Sequence, residues 1–439
     1  MIDFITNPII ASVVVLCVLC LLKVNVLISL LIAAIFGGIL GNMSLSDVMS
    51  TLIGGMGGNS ETALSYILLG AFATAVTHTG LAPILSRKIA SAISQKKFLL
   101  IWIFVIMAIM SQNLIPVHIA FIPILVPPLL AVMNRLKIDR RAVACALAFG
   151  LKAPYIAIPA GFGLIFQGLI ADNMTQNGAQ TTKAEIWQST WILGLAMFVA
   201  LLISIYISYR KERTYKDVEI NTETVKEEPC NDKLKFSHYI TIIAAITTLA
   251  IQLVTGSLPL GALCGLGIIF TFKAVNFKHM DQLVDGGIGL MGYIAFIMLV
   301  AAGYAAVMKA TGGVDALVSS VIPYMAGSKI LATTLMMFVG LFITMGIGTS
   351  FGTIPILAVL YIPICTSMGF SIPSMIIVIA SAAALGDAGS PASDTTLGPT
   401  AGLNADGQHN HINDTCIPTF IHYNVALVIA AIGAVAVLG

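Results

Sequence analysis

Long apolar runs separated by short polar segments are the feature that most constrains this chain. A helix needs about 20 apolar residues to cross a bilayer, and the sequence supplies ten such stretches. Hydrophobic residues make up 58% of the 439 residues and charged residues only 10%, whereas a soluble domain has about 25%. Because a backbone in lipid must satisfy its own N–H and C=O groups, we expect an all-α polytopic membrane protein.

Two interrupted apolar stretches, 98–134 and 330–368, are predicted to be re-entrant hairpins rather than two crossings each. A hydrophilic stretch, 211–237, is predicted to be a cytoplasmic linker between a first unit, 1–210, and a second unit, 238–439. The ten predicted crossings lie near 5–22, 25–41, 62–84, 141–172 (broken), 188–209, 238–255, 258–274, 291–309, 374–400 (broken) and 416–438.

The two units share short motifs at a constant spacing of 232 residues. After a short insertion, Gly150–Pro154 falls opposite Gly386–Pro391. Each unit holds five crossings, an odd number, so the sequence predicts two inverted repeats, each with a hairpin and a broken helix. Such paired breaks are typical of secondary transporters. The shared motifs are Gly54-Gly55-Met56-Gly57 with Gly286-Gly287-Ile288-Gly289, Thr79-Gly80 with Thr311-Gly312, and Ile122-Pro123-Ile124-Leu125 with Ile354-Pro355-Ile356-Leu357.

The distribution of basic residues predicts the orientation in the membrane. Loops that keep Lys and Arg face the cytoplasm. With both termini outside, the inner face receives nearly all the basic clusters, including Arg135–Arg141 and Arg210–Lys235, and the outer face only Lys183, Lys309 and Lys329. We therefore expect a protein of the bacterial cytoplasmic (inner) membrane with its N- and C-termini outside.

A polar run, Gly386–Thr396, follows the apolar segment Ile376–Leu385 where a membrane helix would otherwise continue. Carboxylates at membrane depth are costly and indicate function. Sodium is a hard cation that takes carboxylate, hydroxyl and unwound carbonyl oxygens, and the tip of the second hairpin offers further hydroxyls. The predicted cation (sodium) site comprises Asp387, Ser390, Asp394, Thr395, Thr349 and Ser350.

The corresponding region of the first unit, 150–163, has no acid but contains Lys152 within the predicted break. An intramembrane lysine requires an anion or carbonyl groups around it. It could replace a second cation or pair with a substrate carboxylate; the alternative is a structural ion pair with Asp387 or Asp394. The predicted substrate-binding residues, from this break and the facing hairpin tip, are Lys152, Ser111, Gln112, Asn113, His118 and Pro154.

The run from Gly386 to Thr400, with its tail through His409, His411, Asp414, Thr415 and Asn424, resembles the signature of the NhaC-like Na⁺/H⁺ antiporter family. That family lies in a wider ion transporter superfamily that includes dicarboxylate carriers and candidate amino-acid transporters. The resemblance, which covers nearly the whole chain, implies a homodimer and an elevator-type motion of the hairpin domain. In the dicarboxylate carriers each hairpin tip and its facing break form a sodium site; Lys152 is a departure from that pattern.

The favoured function is a secondary transporter, coupled to sodium or to protons, that carries a small carboxylate-bearing solute such as an amino acid. The alternative is a Na⁺/H⁺ antiporter without an organic substrate. A distant alternative is an intramembrane metalloenzyme that uses the C-terminal histidines, although their spacing matches no common zinc pattern. The expected partners are a solute, a sodium ion and the lipid bilayer. We expect no cofactor beyond the coupling ion, Na⁺ or H⁺, and no nucleic-acid partner.

Overall fold

The computed structural model is helical throughout the residues that it describes, and no strand occurs among them. This confirms the predicted all-α class. The described residues are 7–22, 24–81, 84, 97–114, 122, 126–216, 234–313, 325, 327–347, 349–391 and 393–439.

Seventeen α-helices, numbered here in chain order, make up most of the described part, and short 3₁₀ and π-helical turns extend several of them. The helices are α1 Pro8–Leu21, α2 Val26–Leu40, α3 Leu45–Gly55, α4 Ser60–His78, α5 Lys97–Ile109, α6 Leu130–Arg135, α7 Arg140–Ala157, α8 Phe162–Gln176, α9 Lys183–Ile203, α10 Phe236–Thr255, α11 Leu258–Thr271, α12 Met280–Ala310, α13 Lys329–Ile347, α14 Ser350–Ser367, α15 Ile372–Ala384, α16 Asp394–Leu403 and α17 Val425–Leu438. An irregular helical segment, 411–424, leads into α17. It consists of two π-helical turns with one short α-helical turn between them.

Six helical segments of the described part are long and apolar enough to cross a membrane. The bent pair α7 and α8, which meet at 47°, raises the number to seven. Four shorter apolar helical stretches of the described part do not reach that length: Val26–Leu40, Lys97–Asn113, Leu258–Thr271 and Lys329–Met345. The multi-pass architecture is confirmed, and the count of ten crossings stays a prediction. The six segments are Lys183–Ser208, Phe236–Thr255, Met291–Ala310, Ser350–Ser367, Ile372–Gly389 and His411–Leu438.

The beginnings of the helices support a repeated plan. Three helices in the first half begin 232 residues before three helices in the second half, which is the spacing of the shared sequence motifs. The opposite orientation of the two halves stays a prediction. The paired first residues are Val26 with Leu258, Lys97 with Lys329, and Arg140 with Ile372.

The glycines at 286–289 lie inside the 31-residue helix α12, in the part that precedes the apolar span Met291–Ala310. A Cβ added at Gly287 would overlap the backbone of Ala71 in α4, and one at Gly70 would crowd the carbonyl of Gly287. These glycines therefore allow the backbones of α4 and α12 to approach closely.

The first break differs from the prediction. Helix α7 is continuous through Lys152 and Pro154, and the chain unwinds only at 158–161. Ile158 precedes Pro159 and takes an extended conformation (φ −117°, ψ 127°), because a proline ring disfavours the helical conformation of the residue before it. Gly161 then adopts φ +55°. The placement of Lys152 and Pro154 in unwound chain was therefore wrong.

The second break lies where the sequence predicted it. Helix α15 ends at Ala384, Gly386 has φ +78°, and a short 3₁₀ turn, Asp387–Gly389, follows. Helix α16 restarts because the Ser393 hydroxyl accepts a hydrogen bond from the backbone N–H of Thr395 (3.1 Å), as an N-cap does.

Candidate functional site

Asp387 lies where three elements meet: the second break, the first residue of α14 and the middle of α7. Its Oδ2 accepts a hydrogen bond from the Ser350 hydroxyl (2.6 Å) and one from the Tyr155 hydroxyl (3.2 Å). The Lys152 ammonium lies 2.8 Å from the same oxygen. The two hydroxyls are themselves 3.0 Å apart. One carboxylate oxygen therefore joins both halves of the chain.

The rest of Asp387 is held from within the break. The Ser393 hydroxyl donates to Oδ1, and the Thr395 hydroxyl donates to the Asp387 carbonyl at 3.0 Å. The Ser393 and Thr395 hydroxyls are 2.9 Å apart. Five oxygens from the carboxylate, the hydroxyls and one carbonyl thus lie within a short segment, and oxygens of these kinds suit a sodium ion.

The ion pair is removed from solvent: the side chain of Lys152 is 0% exposed and that of Asp387 is 6% exposed. Within the described part of the chain, Lys152 has no acceptor other than Asp387, so most of its N–H donors are unused. Removing one partner of a buried ion pair costs about 3–5 kcal/mol because the other charge is left uncompensated. Each of the two buried charges is therefore compensated by the other.

An aromatic cluster excludes water from one side of the pair. The Tyr155 ring lies 5.2 Å from each of the Phe166 and Phe351 rings, and Phe351 lies 5.9 Å from both Tyr66 and Phe162. All five rings are buried. Electrostatic interactions beside such apolar surroundings are stronger than in water.

Of the predicted cation ligands, the structure brings Asp387, Ser350 and Thr395 together. Ser390 is buried in the same break, and its carbonyl accepts a hydrogen bond from the Thr396 hydroxyl (2.5 Å). Thr349 precedes Ser350, and its carbonyl accepts from the Thr353 hydroxyl at 2.8 Å. The side chain of Asp394 lies outside the described part, although its backbone begins α16.

The predicted substrate residues divide into two groups. Lys152 faces Asp387, and Pro154 is buried one turn before the first break. Ser111, Gln112 and Asn113 form a buried π-helical turn that extends α5.

The π-helical turn packs on the first break, because a Cβ added at Gly161 would overlap the Asn113 carbonyl. Both side-chain amide atoms of Asn113, together with Oε1 of Gln112, are buried without a hydrogen-bond partner in the described structure. His118, the remaining predicted residue, lies outside the described residues.

Sequence reasoning missed Tyr155 and Ser393 as partners of Asp387. Two signals could have found Tyr155. It lies three residues after Lys152 and so on the same helical face, and its counterpart at the 232-residue spacing is Asp387 itself. Ser393 stands at the usual position of a helix N-cap, immediately before α16.

A polar loop, 403–414, follows α16 at the end of that helix away from the second break. The buried Arg140 guanidinium donates two hydrogen bonds to Asp406, at 2.7 and 2.5 Å. Burial acts to raise the pKa of Asp406, but these hydrogen bonds hold it below its usual range. The His409 ring contacts the Thr415 hydroxyl at 2.7 Å, and burial lowers the pKa of His409 to about 4.

Within the ranges that the structure describes, no cluster of three or more His, Cys, Asp or Glu side chains could hold a metal ion.

Comparison with known families gives two matches. Residues 146–434 match the model of the Na⁺/H⁺ antiporter family, and residues 7–93 match a second Na⁺-H⁺ antiporter family. The first match covers both breaks, α14 and the polar loop.

Several bacterial proteins are similar over almost the whole chain. An uncharacterized membrane protein of Vibrio parahaemolyticus is 46% identical over 435 residues, which cover 96% of this chain and 98% of that protein. A Bacillus subtilis protein described as a candidate amino acid transporter, YuiF, is 43% identical over 438 residues, with 96% and 98% covered.

Two solved structures share the fold. The Alcanivorax borkumensis YdaH transporter superposes with a TM-score of 0.62 at 13% identity and covers 90% of this chain and 88% of that one. Neisseria gonorrhoeae MtrF, from a class of antimetabolite efflux pumps, superposes with a TM-score of 0.57 at 14% identity and covers 90% and 84%.

Proposed function

The chain belongs to the Na⁺/H⁺ antiporter family and is a bacterial multi-pass membrane transporter, not an enzyme. From that premise we propose that it couples sodium to the transport of a small carboxylate-bearing solute, with amino acids as the favoured class. The observation that carries the proposal is the buried ion pair of Lys152 and Asp387.

Sodium binding begins with competition at the Asp387 carboxylate. A sodium ion placed among Asp387, Ser350, Ser393 and Thr395 takes oxygens that are already close together. It replaces the Lys152 ammonium as the positive charge beside Asp387. Because an unpaired buried charge is costly, the ammonium then needs another anion.

The solute carboxylate supplies that anion. Sodium alone leaves Lys152 unpaired, and the solute alone leaves Asp387 unpaired, so each ligand by itself bears the cost of a buried charge. When both bind, each charge has a partner. The two ligands therefore bind with positive coupling, and linkage requires that each raises the affinity for the other by the same factor.

Two further observations support an organic solute. The unpartnered amide atoms of Gln112 and Asn113 offer hydrogen bonds to a polar ligand next to the first break. Buried polar atoms without partners are costly, so a ligand that satisfies them binds more tightly. The similarity to the candidate amino acid transporter of Bacillus subtilis favours amino acids within this class.

The alternative is Na⁺/H⁺ antiport without an organic solute. The names of both matching families, Na⁺/H⁺ antiporters, favour it. In this scheme sodium binds Asp387 in exchange for a proton, and no solute carboxylate pairs with Lys152.

Thermal unfolding of the purified protein, with and without sodium, across a panel of amino acids and carboxylates tests the proposal. Ligands that bind the folded state raise the melting temperature. We expect the shift from sodium plus the right solute to exceed the sum of the separate shifts. Asp387→Asn should abolish the sodium response, whereas Asp172→Asn, an acid at an exposed position of α8, should retain it.

Lys152→Gln separates the two proposed roles of Lys152, which are to compete with sodium at Asp387 and to bind the solute carboxylate. It leaves the Asp387 carboxylate without its cation, so sodium should stabilise this variant more than wild type while the solute response disappears. A carboxylate response that survives in Lys152→Gln contradicts the assignment of the substrate. Sodium-driven proton flux in proteoliposomes, with no solute response at all, would establish the antiporter instead.

A further inference from the structure

A groove between α9 and α17 is not used by the proposed transport site. Two adjoining cavities, of about 600 and 630 Å³, form it, and both are lined by Ile192. Between its ends the lining is apolar, with small residues such as Ala196 and Ala426 along its floor.

The groove runs the full depth of a bilayer. One end lies at Glu185 and Gln188 and the other at Ser208 and His422. From Gln188 to Ser208 a helix rises about 30 Å, which equals the thickness of the hydrocarbon region. Apolar lining with polar residues at both ends therefore matches the profile of the bilayer, and a single phospholipid, which spans one leaflet, occupies the half of the groove nearest its headgroup.

The Ser208 end of the groove has π-helical backbone in place of regular α-helix. Two π-helical turns, Ser204–Ser208 and Phe420–Asn424, meet there, and the Ser208 hydroxyl contacts His422 Nε2 at 2.9 Å. The His422 ring lies 5.4 Å from the Tyr209 ring. Single π turns in membrane helices frequently mark functional sites.

Charge distinguishes the two ends. Beside the Ser208 end, the Lys97 ammonium donates to the Arg210 carbonyl at 2.9 Å, and the Arg210 side chain is exposed. Neither cation has an acidic partner within the described ranges. The opposite end carries the acid Glu185. The Lys329 ammonium also lies near that opposite end, where it donates to the Gly369 carbonyl at 2.7 Å. Two cations and a lining without an acid therefore favour an anionic headgroup at the Ser208 end over the end with Glu185 and one cation.

We propose that this groove is a binding site for an anionic phospholipid. One acyl chain lies between α9 and α17, and the phosphate lies beside Lys97, Arg210 and His422. Basic residues at the end of an interhelical groove recognise anionic headgroups, and each cation near the membrane surface contributes about 1 kcal/mol. The site is independent of the proposed substrate and coupling ion.

Delipidated protein titrated with phosphatidylglycerol or with phosphatidylcholine of the same acyl chains, and observed by native mass spectrometry, tests the site. Two cations at about 1 kcal/mol each predict half-saturation at a roughly tenfold or more lower concentration of phosphatidylglycerol. Arg210→Gln, which removes one of the two cations, should reduce that preference about fivefold. Lys278→Gln, which removes an exposed cation away from the groove, should leave it unchanged.

Ala426→Phe tests the groove itself, because the larger side chain fills the path of the acyl chain and should reduce binding of both lipids at least severalfold. Ala250→Phe, at an exposed position of α10, is the matched control. Equal affinity for the two lipids, or equal effects of Arg210→Gln and Lys278→Gln, would overturn the proposal. It would also be overturned if Ala426→Phe dissociated a dimer and left lipid binding intact.

Discussion

The Tyr155 hydroxyl, from the first half of the chain, contacts two polar groups of the second half. It lies 3.0 Å from the Ser350 hydroxyl and donates to Asp387 at 3.2 Å, while its ring belongs to the buried aromatic cluster. Its packing and its hydrogen bond can therefore be separated by removing one oxygen atom.

Tyr155→Phe should weaken sodium binding about tenfold and should also lower the melting temperature of the sodium-free protein, in which the hydrogen bond to Asp387 is present. The ring stays, and a lost hydrogen bond to a charged group costs about 1.5–3 kcal/mol. Tyr361→Phe, which removes a hydroxyl that donates to the Met336 carbonyl (2.6 Å), is the control for a buried tyrosine elsewhere. Sodium titrations followed by thermal unfolding compare the two variants, and equal sodium affinity in both would exclude Tyr155 from the site.

His409 makes the stability of the polar loop depend on pH. Burial lowers its pKa from the ordinary 6.5 to about 4, so the unfolded chain binds more protons between these values. The contribution of His409 to the free energy of unfolding is complete above pH 6.5. It decreases as the pH falls toward 4, and about 2 kcal/mol of it is lost at pH 5.

His409→Gln should therefore make the melting temperature fall less between pH 7 and pH 5 than it does in wild type. The glutamine amide can still reach the Thr415 hydroxyl, so the fold is expected to survive. Melting curves of both proteins across this range measure the difference, and parallel curves would contradict the role of His409.

At the level of elements, each break depends on a glycine with positive φ and on a residue that restarts or ends a helix. In the first break these are Gly161 and the Ile158-Pro159 pair. In the second they are Gly386 and the N-cap Ser393. The first break also contacts the π-helical turn that extends α5, because Gly161 packs directly on the backbone of Asn113.

Gly161→Ala should destabilise the protein by about 2 kcal/mol more than Gly178→Ala does. Both glycines have positive φ, +55° and +92°, so both substitutions share the cost of a left-handed backbone. A Cβ at Gly161 additionally overlaps Asn113, whereas nothing lies within 4 Å of one at Gly178, and overpacking costs about 1–3 kcal/mol. Melting temperatures measure the difference; equal losses would mean that the close approach is unimportant.

For the whole molecule, the repeated helix starts and the distribution of charge predict opposite orientations of the two halves. The loop after α8 and the polar loop after α16 occupy corresponding positions near the 232-residue spacing. Inverted repeats place such counterparts on opposite sides of the membrane. The positive-inside rule assigns the loop after α16 to the cytoplasm.

Single cysteines test this orientation in a background without the native cysteines. Gln180→Cys, at an exposed position after α8, should react with an impermeant maleimide in intact cells. Asn413→Cys, at an exposed position of the polar loop, should react only after the membrane is permeabilised. Labelling of both from the same side would rule out an inverted repeat.

The sequence by itself determined the membrane class, the second break and the candidacy of Asp387, because these follow from apolar run length and from the cost of acids in lipid. The tertiary structure decided the partner of Lys152. That pairing joins residues 152 and 387 through the packing of α7 against the second break, and local pattern carries no information on contacts so distant along the chain. It likewise decided between Pro154 and Pro159 as the site of the first break, because a proline inside a membrane helix is tolerated wherever neighbouring groups satisfy the backbone.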